Sequence, residues 1–192
     1  MGNGESKKHE NSASHHKSNK TAANSKKSVR IQKNAAESFE LTFSDIHQLH
    51  KIYHDETAIR GANHPGDVIF QYVTSHQPAA TEVFEAKQRA DGHAPDYASH
   101  HVKMTEVLDF IMENLHQPAL VSRRLREVGR SHAAYRQFGF AAQFWSVLGD
   151  AMISCAMRWG AGRQTSKQRD AWFNVFMFVV EELKTGSVRR WW

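Results

Sequence analysis

The sequence predicts an all-α fold, and two observations support that prediction. From residue 39 onward, apolar side chains recur at steps of three and four residues, which is the spacing of one face of an α-helix. Nowhere do apolar and polar residues alternate one by one, as they would along the strands of a half-buried sheet. The 192 residues suit one domain with a buried core and an additional tail.

Residues 1–38 are predicted to be a disordered basic tail. The segment is rich in Ser, Asn, Lys, Ala and His, and its only branched apolar residues are Val29 and Ile31. Residues 1–33 carry eight Lys and Arg against two acidic residues, a balance of +6, whereas the rest of the chain carries 17 against 18. The body is therefore nearly neutral, which argues against a nucleic-acid-binding domain.

The first six residues contain a lipidation motif. The sequence Met1-Gly2-Asn3-Gly4-Glu5-Ser6 fits the pattern M-G-x-x-x-[ST] for myristoylation of Gly2 after removal of Met1. One myristoyl chain binds a membrane weakly, and each nearby Lys or Arg adds about 1 kcal/mol at an anionic surface. We therefore predict a cytoplasmic protein anchored to the cytosolic face of a membrane through Gly2. The alternative is a basic solubilising tail whose start matches the pattern by chance.

Cysteine usage and hydropathy agree with a cytoplasmic location. Cys155 is the one cysteine of the sequence, so no disulfide can form within the chain and a reducing compartment is favoured. The sequence has no apolar run long enough to cross a membrane and no secretory signal. We interpret Cys155, in the middle of a predicted helix, as a small core residue.

The body is predicted to span residues 39–185, followed by a C-terminal tail at 186–192. Thr42 or Ser44 is suited to cap its first helix, because a hydroxyl can accept a free backbone N–H of the first turn. A second helix is expected to begin at Pro65, after a break rich in Gly and Asn.

Three histidines recur on the first predicted helix. His47, His50 and His54 are spaced by three and four residues, so they share a region of its surface. No Cys, Asp or Glu completes a set of metal ligands with a defined geometry. We therefore interpret the three residues as part of a polar, solvated helix face.

The segment after the second helix is predicted to be irregular. Pro78 opens a short turn that reaches Phe84, and the polar residues 85–95, which include a Gly and a Pro, are expected to form a surface loop. Asp96 is suited to cap the helix that follows.

Two helices in the centre of the sequence each carry a histidine on an apolar stripe. The stripes consist of His100, Met104, Leu108, Ile111 and Leu115 on the first helix and of Val121, Leu125, Val128 and His132 on the second. Pro118 begins the second helix, because proline is tolerated in a first turn. The arrangement predicts one imidazole on each of two facing walls of an apolar slot, which suits a flat ligand with a metal at its centre.

Two long apolar helices are predicted to complete the body. The first extends from Phe140 to Trp159, and residues 160–162, Gly-Ala-Gly, end it. Thr165 or Ser166 is suited to cap the second. We expect the two helices to form an antiparallel pair on which the others rest.

The order and spacing of these features resemble a globin from about residue 39 to residue 184. The resemblance rests on Pro78 followed by Phe84, on His100-x-x-Lys103, on Leu125-x-x-Val128-Gly129-x-x-His132 and on Ala171-Trp172. The aromatic-rich C-terminal helices and the basic tail are most similar to nematode and neuroglobin-like globins. Two features depart from the family pattern: the loop before the distal helix, and the doubled histidine.

The resemblance implies about seven to eight helices around haem b (iron protoporphyrin IX). It implies His132 as the proximal iron ligand and His100 on the distal side. His101 is the alternative to His100, since the two lie about 100° apart around the helix and only one can face the iron. The other pocket residues that the resemblance implies are Phe84, Phe70, Met104, Lys103, Leu125 and Val128. Lys103 either pairs with a propionate or is an exposed lysine.

The predicted function is that of a bis-histidyl, six-coordinate haem protein in redox or gas-sensing signalling, membrane-associated through its tail. The alternatives are a five-coordinate oxygen-binding store or carrier, a haem enzyme such as a nitric oxide dioxygenase, and a helical scaffold without haem. Enzyme motifs such as a nucleophile elbow, CxxC, a Gly-rich phosphate loop and HExxH are absent from the sequence, so no enzymatic activity is predicted. The expected partners are dioxygen or another diatomic gas, a redox partner protein and an anionic membrane surface.

Overall fold

The computed structural model describes residues 1–2, 27–32, 38–61 and 64–188. Within these ranges the chain forms a two-stranded antiparallel sheet of β1 (Ser28–Gln32) and β2 (Ser38–Thr42). The α-helices of these ranges are α1 (Phe43–Arg60), α2 (His64–His76), α3 (Pro78–Ala90), α4 (Tyr97–Asn114), α5 (Pro118–His132), α6 (Gln143–Ala156) and α7 (Ser166–Ser187). Two short 3-10 helices, Ala133–Phe138 and Trp159–Gly162, flank α6. The prediction that the body is helical is confirmed.

Three helix starts follow from local side-chain chemistry. The Thr42 hydroxyl accepts the N–H of Asp45 at 3.1 Å, and the Asp45 carboxylate accepts the N–H of Thr42 at 3.1 Å, which forms a capping box at the start of α1. Thr165 and Gln168 form the same box at the start of α7. The Asp96 carboxylate accepts a first-turn N–H of α4 at 2.9 Å. These three residues are among the caps that the sequence predicts.

The strand β1 corrects the prediction that all of residues 1–38 is disordered. Ile31 pairs with Phe39 across the sheet and is fully buried, and the neighbouring Leu41 is 3% exposed. A short alternation of two apolar residues in a polar segment is too weak a strand signal, because the ladder that stabilises it is formed with β2 rather than locally. The rest of the predicted tail, at 3–26 and 33–37, lies outside the described residues.

The helix α3 corrects the predicted turn and loop. Pro78 begins a regular helix that continues to Ala90, so only residues 91–96 form the loop before α4. The residues of this segment include Glu, Ala, Lys, Gln and Arg, all strong helix formers. Ion pairs between Glu85 and Arg89 and between Lys87 and Asp91, each four residues apart, support the helix further.

The C-terminal helices differ from their predicted bounds at both ends. The helix predicted from Phe140 to Trp159 is shortened to α6 (Gln143–Ala156), and residues with positive φ angles, Gly139 before it and residues 160–162 after it, separate it from its neighbours. Helix α7 continues to Ser187, two residues into the predicted C-terminal tail, and Ser187 is 2% exposed. Residues 189–192 lie outside the described part of the chain. Among the described helices, none is both long and apolar enough to span a membrane.

Helix α5 packs on α7 with the two backbones in contact. A Cβ atom on Gly129 would lie 2.2 Å from the carbonyl oxygen of Leu183, and one on Gly186 would lie 2.2 Å from the carbonyl oxygen of Arg126. Since no side chain separates the helices at these points, any larger residue would push them apart. The Arg126 guanidinium also donates two hydrogen bonds, of 2.5 and 3.2 Å, to the buried Glu182 carboxylate. Helix α5 is therefore held firmly at its C-terminal half.

Candidate functional site

A cavity of about 560 Å³ lies between α4 and α5 and is closed at its base by α6 and α7. Its wall is mostly apolar, and seven of the eight pocket residues that the sequence predicts line it: Phe70, Phe84, His100, Lys103, Met104, Val128 and His132. Leu125 is fully buried but does not line the cavity. The structure thus brings together the two stripes that the sequence places on facing helices, and leaves Leu125 in the core.

The imidazoles of His100 and His132 face each other across the cavity. Their ring centroids are 6.3 Å apart and their planes are inclined by 60°. Each histidine comes from a different helix, so the gap between them is set by the distance between α4 and α5.

A backbone hydrogen bond orients His132. Its Nδ1 lies 2.9 Å from the carbonyl oxygen of Val128, one turn earlier in α5. A carbonyl oxygen can only accept, so Nδ1 carries the proton and Nε2 has a free electron pair. That pair is on the side of the ring away from the α5 backbone and is available to an electrophile in the cavity.

Aromatic side chains surround the His132 ring on its other sides. The Trp145 ring lies 4.9 Å away in an edge-on orientation, the Tyr135 ring is stacked at 5.5 Å, and the Phe140 ring is at 5.7 Å. The Trp145 indole N–H donates to the Ser187 hydroxyl at 3.2 Å, which ties this wall to α7. The orientation of His132 is thereby restricted by packing as well as by its hydrogen bond.

Two phenylalanines hold the His100 ring. The Phe84 ring centroid lies 5.2 Å away and the Phe70 ring centroid 5.4 Å away. Met104 follows one turn later on α4 and also lines the cavity. Among the described residues no side-chain hydrogen bond fixes the His100 imidazole, so its position depends on ring contacts.

Both imidazoles are held neutral by the apolar surroundings. Burial, assisted by the nearby His132, lowers the pKa of His100 from 6.5 to about 4. Burial also lowers the pKa of His132, although its hydrogen bond with Val128 acts in the opposite direction. Neutral imidazole is the form that binds a metal ion.

His101, the alternative distal residue, points away from the cavity. Its Nδ1 lies 2.8 Å from a carboxylate oxygen of Asp67 on α2, and its ring packs on Phe70 at 4.6 Å. The contact is fixed by Gly66, whose N–H donates to the Thr105 hydroxyl at 3.1 Å and whose missing Cβ would lie 2.2 Å from the His101 carbonyl oxygen. Because α2 and α4 touch there, His101 faces α2 and His100 faces the cavity.

The mouth of the cavity carries charged side chains from both helices. Lys103 of α4 and Arg124 of α5 are exposed and contribute two cations, and Glu127 pairs with Arg124 at 3.8 Å. The carboxylates of Asp96 and Glu106 also line the cavity, so among the charged lining residues Lys103 and Arg124 are the two that could pair with an anionic edge of an otherwise apolar ligand. Among the described residues, no group of three or more His, Cys, Asp or Glu is arranged to hold a bare metal ion.

Part of the wall around His132 could not be predicted from the sequence. Trp145 lies within the long apolar helix predicted from Phe140 to Trp159, and Tyr135 and Phe140 lie in the turn region after His132. The contact of Trp145 with His132 depends on how α5 and α6 pack on α7, and the contacts of Tyr135 and Phe140 depend on the path of the chain after α5. The helical period predicts neither. The run of aromatic residues directly after His132 was the available signal.

The comparisons with known proteins agree on one family. A family model described as Globin matches residues 67–183, from α2 to α7. Globin-related protein glb-13 of Caenorhabditis elegans is 28% identical over 134 residues, which cover 68% of this chain and 47% of that protein. Globin-like protein 26 of the same organism is 26% identical over 91 residues, covering 47% of this chain and 50% of that protein. The chain spans about half the length of these curated relatives.

A solved structure agrees on the fold. The crystal structure of a hexacoordinated heme protein from an anhydrobiotic tardigrade at pH 4 aligns with a TM-score of 0.60, covering 77% of this chain and 95% of that chain. The sequence identity is 17%, so the likeness concerns the arrangement of the helices.

Proposed function

Because the chain belongs to the globin family, we propose that it binds haem in the cavity between α4 and α5, with His132 and His100 both as iron ligands. The observation that supports this proposal is the 6.3 Å separation of the two imidazole centroids. Two metal–imidazole bonds of about 2 Å each, end to end, account for about 4 Å of that distance. The remaining distance corresponds to the two segments from each ring centroid to its coordinating nitrogen. The separation therefore allows one iron atom between the histidines without movement of either helix.

The donor set and the shape of the site fit haem. The wall is apolar, the two imidazoles are neutral, and the electron pair of His132 Nε2 is free. We expect Lys103 and Arg124, which line the cavity, to pair with the two propionates, Arg124 in exchange for its contact with Glu127. The proposed haem is haem b, because covalent attachment requires a CxxCH motif and Cys155, the one cysteine, is buried in the core.

We propose redox or gas-sensing signalling as the role of this site. Bound haem supplies an iron centre that exchanges one electron or takes up a diatomic gas such as dioxygen. His132 is oriented by Val128 and keeps its place, whereas His100 must leave before a gas can bind. The apparent affinity for gas is then reduced in proportion to the fraction of molecules in which His100 is displaced: the smaller this fraction, the weaker the binding. This property suits a sensor better than a store.

The test is the visible spectrum of the reduced protein without gas, in the wild type and in His100→Leu. Ligation by both histidines predicts two sharp bands for the wild type and one broad band for the variant. Matched spectra of His101→Leu and the wild type serve as the control, since His101 faces Asp67. A broad band in both the wild type and His100→Leu would contradict the proposal and would make the five-coordinate oxygen store or carrier the preferred function.

We also propose that the tail places the protein at the cytosolic face of a membrane, through myristate on Gly2 and the basic residues that follow. The support is the M-G-x-x-x-[ST] pattern together with the charge of +6 in residues 1–33. The expected result is co-flotation of the acylated chain with vesicles that contain anionic lipid, and its loss in Gly2→Ala. An unmodified N-terminus by mass spectrometry, with the protein entirely cytosolic, would overturn the anchor.

A further inference from the structure

Two histidines on successive turns of α1 lie within reach of a single ion. The Nε2 atoms of His50 and His54 are 2.9 Å apart, and their ring centroids are 4.1 Å apart. The pair lies outside the haem cavity, whose lining includes no residue of α1. We propose that His50 and His54 form a surface site for a divalent transition-metal ion, Cu²⁺ in particular, with water in the remaining coordination positions.

The distance between the two Nε2 atoms indicates the coordination geometry of the metal ion that they can bind. Metal–imidazole bonds are about 2.0–2.1 Å long, and two of them at a right angle place the nitrogens about 2.9 Å apart. A right angle belongs to square-planar or tetragonal coordination, which Cu²⁺ and Ni²⁺ prefer, whereas a tetrahedral ion would need a wider separation. Among divalent first-row ions, Cu²⁺ also binds nitrogen ligands most tightly.

The residues around His50 and His54 favour the binding of a cation by the pair. The His54 ring packs against Tyr53 at 5.6 Å, and Tyr53 is fully buried and donates to the Asp109 carboxylate at 2.7 Å. Burial, with the neighbouring His54 and His47, lowers the pKa of His50, so the imidazole is ready to bind metal at neutral pH. The Glu113 carboxylate on α4 acts to raise the pKa of His50, because its negative charge favours a positive charge at this position.

The exposure of the pair leaves room for the ion and its waters. His54 is exposed and His50 is half-buried, so solvent reaches both Nε2 atoms from one side. Within the described residues no third His, Cys, Asp or Glu completes a closed centre. The site is therefore open, and its other ligands come from solvent or from a second molecule.

The experiment is a Cu²⁺ titration of the full-length, haem-loaded chain, followed by electron paramagnetic resonance. All proteins in this experiment carry the substitutions His9→Gln, His15→Gln and His16→Gln, so that no imidazole of the first 16 residues binds the ion. The parent protein is expected to bind one more ion, with two nitrogen ligands, than either His50→Gln or His54→Gln. The matched control is His47→Gln on the same helix, which should retain the ion.

Thermal unfolding provides a second measurement on the same proteins. An ion that bridges two turns of the folded helix stabilises the native state, so Cu²⁺ should raise the Tm of the parent and of His47→Gln but not of the two other variants. If His50→Gln and His54→Gln bind as much Cu²⁺ as the parent, the 2.9 Å contact is a histidine–histidine hydrogen bond and the proposal is wrong. Haem binding is unaffected by either outcome, since the two sites share no residue.

Discussion

The two walls of the cavity are built with different degrees of restraint. On the proximal wall, His132 donates to the Val128 carbonyl oxygen and belongs to a helix whose backbone touches α7 at Gly129. On the distal wall, His100 is held by the rings of Phe70 and Phe84, with no side-chain hydrogen bond among the described residues. A hydrogen bond fixes both the direction and the tautomer of a ring, whereas ring packing allows small rotations. For the proposed haem, we therefore expect His132 to be the permanent ligand and His100 to be the ligand that can be released.

Replacing His132 or His100 should give the largest difference between the two walls, measured as the amount of haem that each variant retains. His132→Ala is expected to purify with almost no haem, because its wall offers no second imidazole and the remaining ligand is the less restrained one. His100→Leu is expected to keep its haem, since His132 and the apolar wall remain. The measurement is the ratio of haem absorbance to protein absorbance, with helix content from circular dichroism as the control for folding. Equal losses of haem in both variants would contradict the assignment of separate roles.

Replacing Gly129 or Gly66 with alanine should separate the role of His132 from that of His100 without changing either histidine. Gly129→Ala brings a Cβ atom to 2.2 Å from the Leu183 carbonyl oxygen, and Gly66→Ala brings one to 2.2 Å from the His101 carbonyl oxygen. Each clash is with backbone, so a helix must move, and we expect each change to destabilise the fold by about 1–3 kcal/mol. The shift of α5 should weaken haem retention, whereas the shift of α4 should reduce the six-coordinate fraction.

Gly149→Ala is the matched control for these variants. Its Cβ atom would approach the Val180 Cγ2 atom at 2.8 Å, and a side-chain methyl can move where a backbone carbonyl cannot. The variant should lose less stability in urea unfolding and keep the wild-type spectrum. A spectrum of Gly66→Ala identical to that of Gly149→Ala would show that α4 does not control the position of His100.

The helical period was sufficient to place His100 and His132 on facing walls, because a stripe is a local property of the sequence. It was not sufficient to say what each stripe residue faces. Leu125 and Val128 belong to one stripe, yet Leu125 packs in the core and Val128 lines the cavity. The choice between His100 and His101 likewise required the contact of α4 with Gly66 and Asp67, which lie more than thirty residues earlier in the chain.

The elements that the sequence did not predict depend on distant partners or on weak local signals. Strand β1 is stable because it pairs with β2 and buries Ile31, and neither effect is visible in a polar segment taken alone. The second half of α3 has high helix propensity but no apolar stripe, so an approach based on apolar periodicity assigns it to a loop. Trp145 reaches His132 because α5 and α6 both pack on α7, an arrangement of three helices that no local pattern contains.

The last expected effect is the dependence of apoprotein stability on pH, and it applies to both walls. The folded state holds His100 at a pKa of about 4, below its ordinary value of 6.5, because burial and the nearby His132 disfavour the charged ring. Between these two values the unfolded chain binds more protons than the folded chain. The free energy of unfolding therefore falls as the pH drops from about 6.5 towards 4, by up to about 3 kcal/mol for this residue. His132 contributes in the same direction, since burial lowers its pKa as well.

The measurement is urea unfolding of the apoprotein at several pH values, for the wild type, His100→Leu, His132→Leu and the double variant. Each single change should flatten the slope and the double variant should flatten it most; an unchanged slope in His100→Leu would mean that its imidazole is solvated and that the distal wall is open in the absence of haem.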